Sequence, residues 1–260
     1  MSPFDLEDSL KVAIQNKEFC LFYQPIIDLK TRKMVSMEAL IRWNHPKVGF
    51  IPPDIFIPFA ERNNLINPIG HWVLESVCQQ IKEWLSQGFK NFKISVNVSP
   101  NQLLQENFPK VIANLLQQSQ IPAYFMALEL TETISMPHTA QAEKILLAIE
   151  KLGIDIIMDD FGTGFSSLSH LKYLPVNSIK IDKSFIQDIQ IGHKNAVIVS
   201  SLIYLGMRLG LYVVAEGVET EDQITFLMEN GCALGQGNYL ATSLTHDAMT
   251  ELLNTLHYPS

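Results

Sequence analysis

The chain has 260 residues, 47% hydrophobic and 18% charged, with its 13 Gly and 13 Pro scattered at turns, which excludes a disordered or fibrous chain and fits one folded domain with a large core. Its 19 basic and 27 acidic residues give a formal net charge of −8, and no Lys/Arg run supplies a footprint for long nucleic acid. An anionic ligand would therefore need local positive charge.

Residues 1–18 read as a lead-in helix or linker, and 19–260 as the functional domain. Residues 19–27 are aromatic and β-branched and predict a strand; residues 34–43 predict a second, joined to the first through Thr31-Arg32-Lys33 as a hairpin. Residues 68–88 place Trp72, Leu74, Val77, Ile81, Trp84 and Leu85 at helical spacing, with Gly88 as the C-cap. From there strands and helices alternate. Strand 93–98 precedes helix 101–118, and strand 126–131 precedes helix 139–152. Further strands are expected near Ile154, Ser178, Leu211 and Cys232, with helices at 166–172, 194–209, 220–229 and 245–256. The apolar stretch 196–215 is interrupted by Gly206, Arg208, Gly210 and two serines, so it predicts a buried helix followed by a strand rather than a membrane span.

This alternation argues for a parallel sheet, and about eight strands in a chain near the usual ~250 residues point to an α/β fold of the closed (β/α)8 type, a TIM barrel. An open doubly wound sheet is the alternative. The opening hairpin predicts a modified barrel whose first strand runs antiparallel to its neighbours.

Three cysteines, Cys20, Cys78 and Cys232, share no C-x-x-C spacing and suit a reducing compartment. Residues 1–8 carry no secretory signal, so a cytoplasmic location is expected.

Six apolar runs end in acidic, amide or ammonium side chains: Met37-Glu38-Ala39-Leu40, Ser95-Val96-Asn97-Val98, Leu128-Glu129-Leu130-Thr131-Glu132, Met158-Asp159-Asp160-Phe161, Ile179-Lys180-Ile181-Asp182 and Val214-Ala215-Glu216-Gly217. One such residue alone reads as a salt bridge at a barrel rim. Six, at the strand ends where barrel enzymes place their chemistry, predict one convergent site. Glu38, Asn97, Glu129, Asp159 and Asp160 offer four carboxylates and an amide oxygen, a hard set suited to Mg2+ or Mn2+. The seven histidines are dispersed without zinc spacing. Adjacent Asp159 and Asp160 could serve two metals, an arrangement that hydrolyses phosphodiesters, with Lys180 stabilising transition-state charge and Glu216 accepting the water's proton. Gly162-Thr163-Gly164 lacks the rest of a phosphate loop and reads as an ordinary loop, and Asp160-Phe161-Gly162 lacks the other kinase signatures.

Glu38-Ala39-Leu40 followed by Arg42-Trp43 is the signature of the EAL domain family, which the chain resembles from about residue 19 to 244. Tyr23-Gln24-Pro25-Ile26, Asn97-Val98-Ser99, Glu129-Leu130-Thr131-Glu132, Asp159-Asp160-Phe161-Gly162-Thr163-Gly164, Lys180-Ile181-Asp182, Ala215-Glu216-Gly217-Val218-Glu219 and Gln236-Gly237 follow in family order. The resemblance implies hydrolysis of cyclic di-GMP to linear pGpG with two Mg2+ or Mn2+ ions. Glu38, Asn97, Glu129 and Asp159 would bind one ion, and Asp159, Asp160 and Glu216 would surround the second. Lys180 would position the nucleophile, Glu216 is the candidate general base, and Gln24, Leu40 and Arg42 match substrate-contacting positions. Glu132, which matches a residue holding the loop 161–167, joins Asp182, Glu219 and Gln236 as supporting residues.

The resemblance further implies a homodimer and fused or associated sensory or GGDEF domains. Inactive relatives usually lose the Glu of the tripeptide, the Asp pair, the Lys or the base, all of which are present here. That favours an enzyme over a cyclic di-GMP receptor or a signalling scaffold. Departures are Asn238 where Gln-Gly is commonly followed by an aromatic, Ser243 for a frequent Pro, and Phe165 where Tyr is common.

Overall fold

A computed structural model of the protein describes residues 3–132, 139–163, 174–187, 189 and 193–257. Strands β1 (Phe19–Asp28) and β2 (Met34–His45) form the expected hairpin, which brings Gln24 opposite Glu38. A short β3 (Gly49–Ile51) extends β2 outward. Strands β4 (Ile94–Asn97), β5 (Met126–Thr131), β6 (Asp155–Phe161), β7 (Ser178–Ile181), β8 (Tyr212–Ala215) and β9 (Leu234–Gly235) then pair side by side, all parallel. β2 pairs with β4 in parallel, while β1 is antiparallel to both β2 and β9 and so closes the ring. This is the modified TIM barrel that the hairpin predicts.

The helices lie outside. α1 (Pro3–Asn16) buries Leu6, Leu10 and Ala13 against Phe56, Ala60, Ile66 and Ile69 of α2 (Pro53–Arg62) and α3 (Ile66–Ser86). α3 ends where expected, with Gly88 in the left-handed region at φ +94. The single helix expected over 101–118 is instead two. α4 (Pro100–Leu103) is closed at its start by a capping box between Ser99 and Gln102, and α5 (Phe108–Ser119) restarts with a proline in its first turn. α5, α6 (Thr139–Glu150) and α3 lay Ile112, Leu115, Ile145, Ile149, Val77 and Ile81 into one core with the outer faces of β4 to β6. Each such side chain contributes roughly 1.5–3 kcal/mol by leaving water.

After β7 come α7 (Lys183–Gln187) and α8 (His193–Arg208), then α9 (Glu221–Glu229) and α10 (His246–His257). The stretch 196–215 resolves into helix, turn and strand as predicted, but α8 is not a buried helix. Val199 and Ile203 are buried, whereas Val197 and Tyr204 are 63% and 64% exposed, so only one face packs on the barrel. A Cβ on Gly206 would lie 2.5 Å from Val213, so this glycine permits the close approach of α8 to the sheet. Among the described residues no helix is long and apolar enough to cross a membrane. The helix expected at 166–172, Phe165 and the later part of the loop 161–167 lie outside the described residues.

Candidate active site

Alternation along each strand turns every second side chain into the barrel, and strand register sets the depth. β4 and β5 place Asn97 opposite Glu129, and β5 and β6 place Thr131 opposite Asp159. Lys180 enters from β7, and Glu216 and Gln236 follow β8 and β9 directly. The result is one cluster at the carboxyl ends of the strands.

Lys180 is its hub. Its Nζ lies 2.9 Å from Glu38 Oε2, 2.9 Å from Glu129 Oε2, 2.6 Å from Glu216 Oε1 and 3.8 Å from Asp159 Oδ1. The lysine is fully buried, which pulls its pKa down, but Glu129, Glu38, Glu216 and Asp159 outweigh that and hold it well above the ordinary value. Glu38 is fixed further by Asn97 Nδ2 at 2.6 Å and Gln236 Nε2 at 2.7 Å. Burial pushes the Glu38 carboxyl up, yet Lys180, Gln236 and Asn97 together bring it below the usual range. Gln236 Nε2 also reaches Gln24 Oε1 at 3.1 Å, and Gln24 donates to the Ala241 carbonyl at 3.2 Å.

The remaining acids are driven the other way. Burial, then the Glu38 charge, raises Glu129 well above the carboxylate range. Burial raises Asp159 and Asp160, with neighbouring carboxylates adding to it, and lifts Glu216 to about 7. Asp160 sits in the left-handed region at φ +53, beside an irregularity in the β6–β7 register, and its amide donates to Asp159 Oδ1 at 2.9 Å. That backbone turn sets the two adjacent carboxylates on one site instead of on opposite faces of a strand.

A divalent cation suits this donor set. Asp159, Asp160 and Glu216 each offer an oxygen within 4.8 Å of the others. Glu129 Oε1 and Gln236 Oε1 are buried without a hydrogen-bond partner among the described residues, the condition of oxygens that await a cation or a donor.

The supporting residues divide. Glu132 Oε2 accepts from the Gly162 amide at 3.1 Å, tying the end of β5 to the turn after the Asp pair. Asp182 accepts from Ser184 N at 3.0 Å at the start of α7 and adds to the upward shift of Asp159 and Asp160. Glu219 lines the cavity at the mouth beside Glu38, Glu216 and Gln236 and accepts from Gln187 Nε2 at 3.0 Å. Leu40 and Arg42 line a neighbouring apolar groove of about 560 Å3, where the Arg42 guanidinium lies 5.7 Å from the Phe22 ring centroid. The far wall of that groove is α2, through Asp54, Ile57 and Glu61, which the sequence reading omitted. Phe56 and Ala60, spaced by one helical turn, were its only signal.

Comparison with known proteins agrees with this architecture. Residues 7–243 match the EAL domain family. Among curated relatives, the cyclic di-GMP phosphodiesterase NbdA of Pseudomonas aeruginosa is 36% identical over 97% of this chain and 32% of its own length. MucR of the same organism, a bifunctional diguanylate cyclase/cyclic di-GMP phosphodiesterase, is 40% identical over 88% of this chain and 33% of its own. This chain thus spans about a third of the length of such relatives. The solved P. aeruginosa MucR phosphodiesterase in complex with c-di-GMP superposes with a TM-score of 0.91 at 38% identity, over 94% of this chain and 99% of that one. The strand order, the antiparallel first strand, the carboxylate cluster and these matches together make the chain a member of the EAL domain family.

Proposed function

We propose that the protein is a phosphodiesterase that hydrolyses cyclic di-GMP to linear pGpG. The observation that carries this reading is the Lys180 ammonium shared by Glu38, Glu129 and Glu216 at the barrel mouth, with the Asp159-Asp160 pair beside it. A receptor has no need of Lys180 and Glu216 in one cluster with the metal-binding carboxylates.

Glu38, Asn97, Glu129, Asp159, Asp160 and Glu216 would hold two divalent ions, Mg2+ or Mn2+. When bound, these supply charge neutralisation at the scissile phosphate and make water more acidic. Glu216, 2.6 Å from Lys180 Nζ and grouped with the Asp159-Asp160 pair, is the carboxylate placed to receive the proton of the attacking water. Water oxygen joins phosphorus as the bond from phosphorus to the ribose 3′ oxygen breaks; the water's proton goes to Glu216 and from there to solvent, and the 3′ oxygen takes a proton from solvent to leave as a hydroxyl. Lys180, held rigidly by its partners, orients the nucleophile and offsets the charge that grows on the phosphoryl oxygens. Gln236 and Asn97 fix Glu38, and Gln24, Leu40 and Arg42 contact the dinucleotide, Arg42 through its planar fork. Residues 19–260 form the catalytic unit. Homodimerisation and attachment to sensory or GGDEF modules belong to the same proposal.

The test is incubation with cyclic di-GMP and Mg2+ or Mn2+, followed by chromatography, beside Glu38→Ala and a chelator control. Linear pGpG that disappears in both controls supports the reading. Binding without product in metal-loaded protein overturns it and leaves a receptor.

A further inference from the structure

Ser95 has no part in the roles assigned above, yet strand register places it within the cluster. It pairs with Glu38 across the parallel β2–β4 ladder, and it stands two positions before Asn97, which pairs with Glu129 across β4–β5. Paired residues of a parallel ladder share a face, as do residues two apart on one strand. Ser95 therefore looks into the barrel between the strands that carry Glu38 and Glu129, level with the first and one step below the second.

The side chain is 2% exposed, so its hydroxyl proton needs an acceptor inside the protein. The bond it makes there is long, 3.4 Å to the Met37 carbonyl, where hydroxyl bonds ordinarily span roughly 2.5–3.0 Å. A stronger acceptor stands beside it. Burial and then the Glu38 charge push the Glu129 carboxyl up, and the Ser95 hydroxyl is among the groups that pull it back down.

The two glutamates differ in how firmly they are held. Glu38 receives Lys180, Asn97 and Gln236. Glu129 Oε2 receives Lys180, while its Oε1 has no hydrogen-bond partner among the described residues. The last torsion of a glutamate is broad, so an anchor on one oxygen leaves the plane of the carboxylate loosely set. A donor to the other oxygen would define it.

We propose that Ser95 is a positioning residue for Glu129: its hydroxyl turns from the Met37 carbonyl to Glu129 Oε1 and fixes the carboxylate plane in which that oxygen meets a divalent cation. A carboxylate oxygen has two lone pairs, so the hydroxyl and the cation share Oε1 without competing. The assignment rests on the metal-dependent reading above. It makes Ser95 an outer support of a ligand rather than a ligand itself.

The test is calorimetric titration of Mn2+ into substrate-free wild type, Ser95→Ala, Glu129→Gln and the double variant, beside thermal melts in chelator. Ser95→Ala removes one oxygen and is expected to weaken Mn2+ binding by roughly 10–100-fold, while its melt moves by less than about 4 °C. In the Glu129→Gln background the same substitution should change affinity by less than about twofold, because the carboxylate it orients is gone. Equal affinity in wild type and Ser95→Ala overturns the assignment. An equal loss in both backgrounds also overturns it, since Ser95 would then act on the barrel at large. A wild type that binds no Mn2+ overturns the assignment together with the metal reading. If Mn2+ binds and responds to Ser95→Ala as expected but cyclic di-GMP is not cleaved, the phosphodiesterase reading fails and the role of Ser95 stands.

Discussion

Lys180 Nζ meets Glu129 Oε2 at 2.9 Å deep in the barrel, while the other oxygen of the same carboxylate has no hydrogen-bond partner among the described residues. Glu129 is thus half-satisfied by an internal cation and half-reserved for an external one. Replacing it with Gln keeps a hydrogen-bonding partner for its neighbours and removes a charge that burial disfavours. Glu129→Gln should therefore raise Tm in chelator by about 2–4 °C, the equivalent of about 1 kcal/mol, while weakening stabilisation by Mn2+. Thermal melts with and without metal check both halves.

Lys180→Met removes the ammonium and leaves the partner carboxylates to repel one another in a buried site. Breaking a buried ion pair from one side costs about 3–5 kcal/mol. The carboxylates respond by taking up protons, so the deficit relative to wild type should be larger at pH 8 than at pH 5.5. Urea midpoints at the two pH values test this, and a deficit that does not change with pH contradicts it.

In chelator, stability of the wild-type protein should fall as pH rises from the ordinary carboxylate range toward about 7. Glu216, Glu129, Asp159 and Asp160 all titrate above their ordinary values, so the folded protein binds more protons than the unfolded chain across that window. Their contribution is fully present below the ordinary range and is lost as pH climbs through the folded values. Glu38, shifted down, acts oppositely but only at lower pH. Metal binding displaces these protons, so the rise in Tm on adding Mn2+ should be greater at pH 7.5 than at pH 5.5. Glu216→Gln should flatten the profile near pH 7.

Glu132→Gln weakens the acceptor for the Gly162 amide without touching the cluster itself. Outer partners of metal ligands typically contribute 10–100-fold, so kcat should fall by roughly that range while Tm moves little. A steady-state assay beside a melt separates this positioning role from a folding role.

The strands, the parallel order and the antiparallel first strand were legible because each strand pairs apolar alternation with a polar end. α2 was not, since Pro46, Pro52, Pro53 and Pro58 give its stretch the composition of a loop, although a helix tolerates proline in its first turn. The break between α4 and α5 was hidden for the opposite reason: apolar spacing continues across it and only Pro109 marks the restart. At the site, alternation told which side chains face inward but not that four carboxylates converge on one ammonium. The left-handed turn at Asp160 left no trace either, because nothing in an Asp-Asp-Phe sequence specifies a positive φ.

Closure of the ring rests on few bonds between distant parts of the chain. β1 meets β9 at only two residue pairs, and Gln236 reaches Gln24 and Glu38 across 212 and 198 positions. A chain emerging from the ribosome with β1 to β8 complete still lacks Gln236 and an unbroken cylinder. The closed site is therefore withheld until translation has passed β9, and a prematurely terminated fragment would display an open sheet edge instead of a sealed barrel.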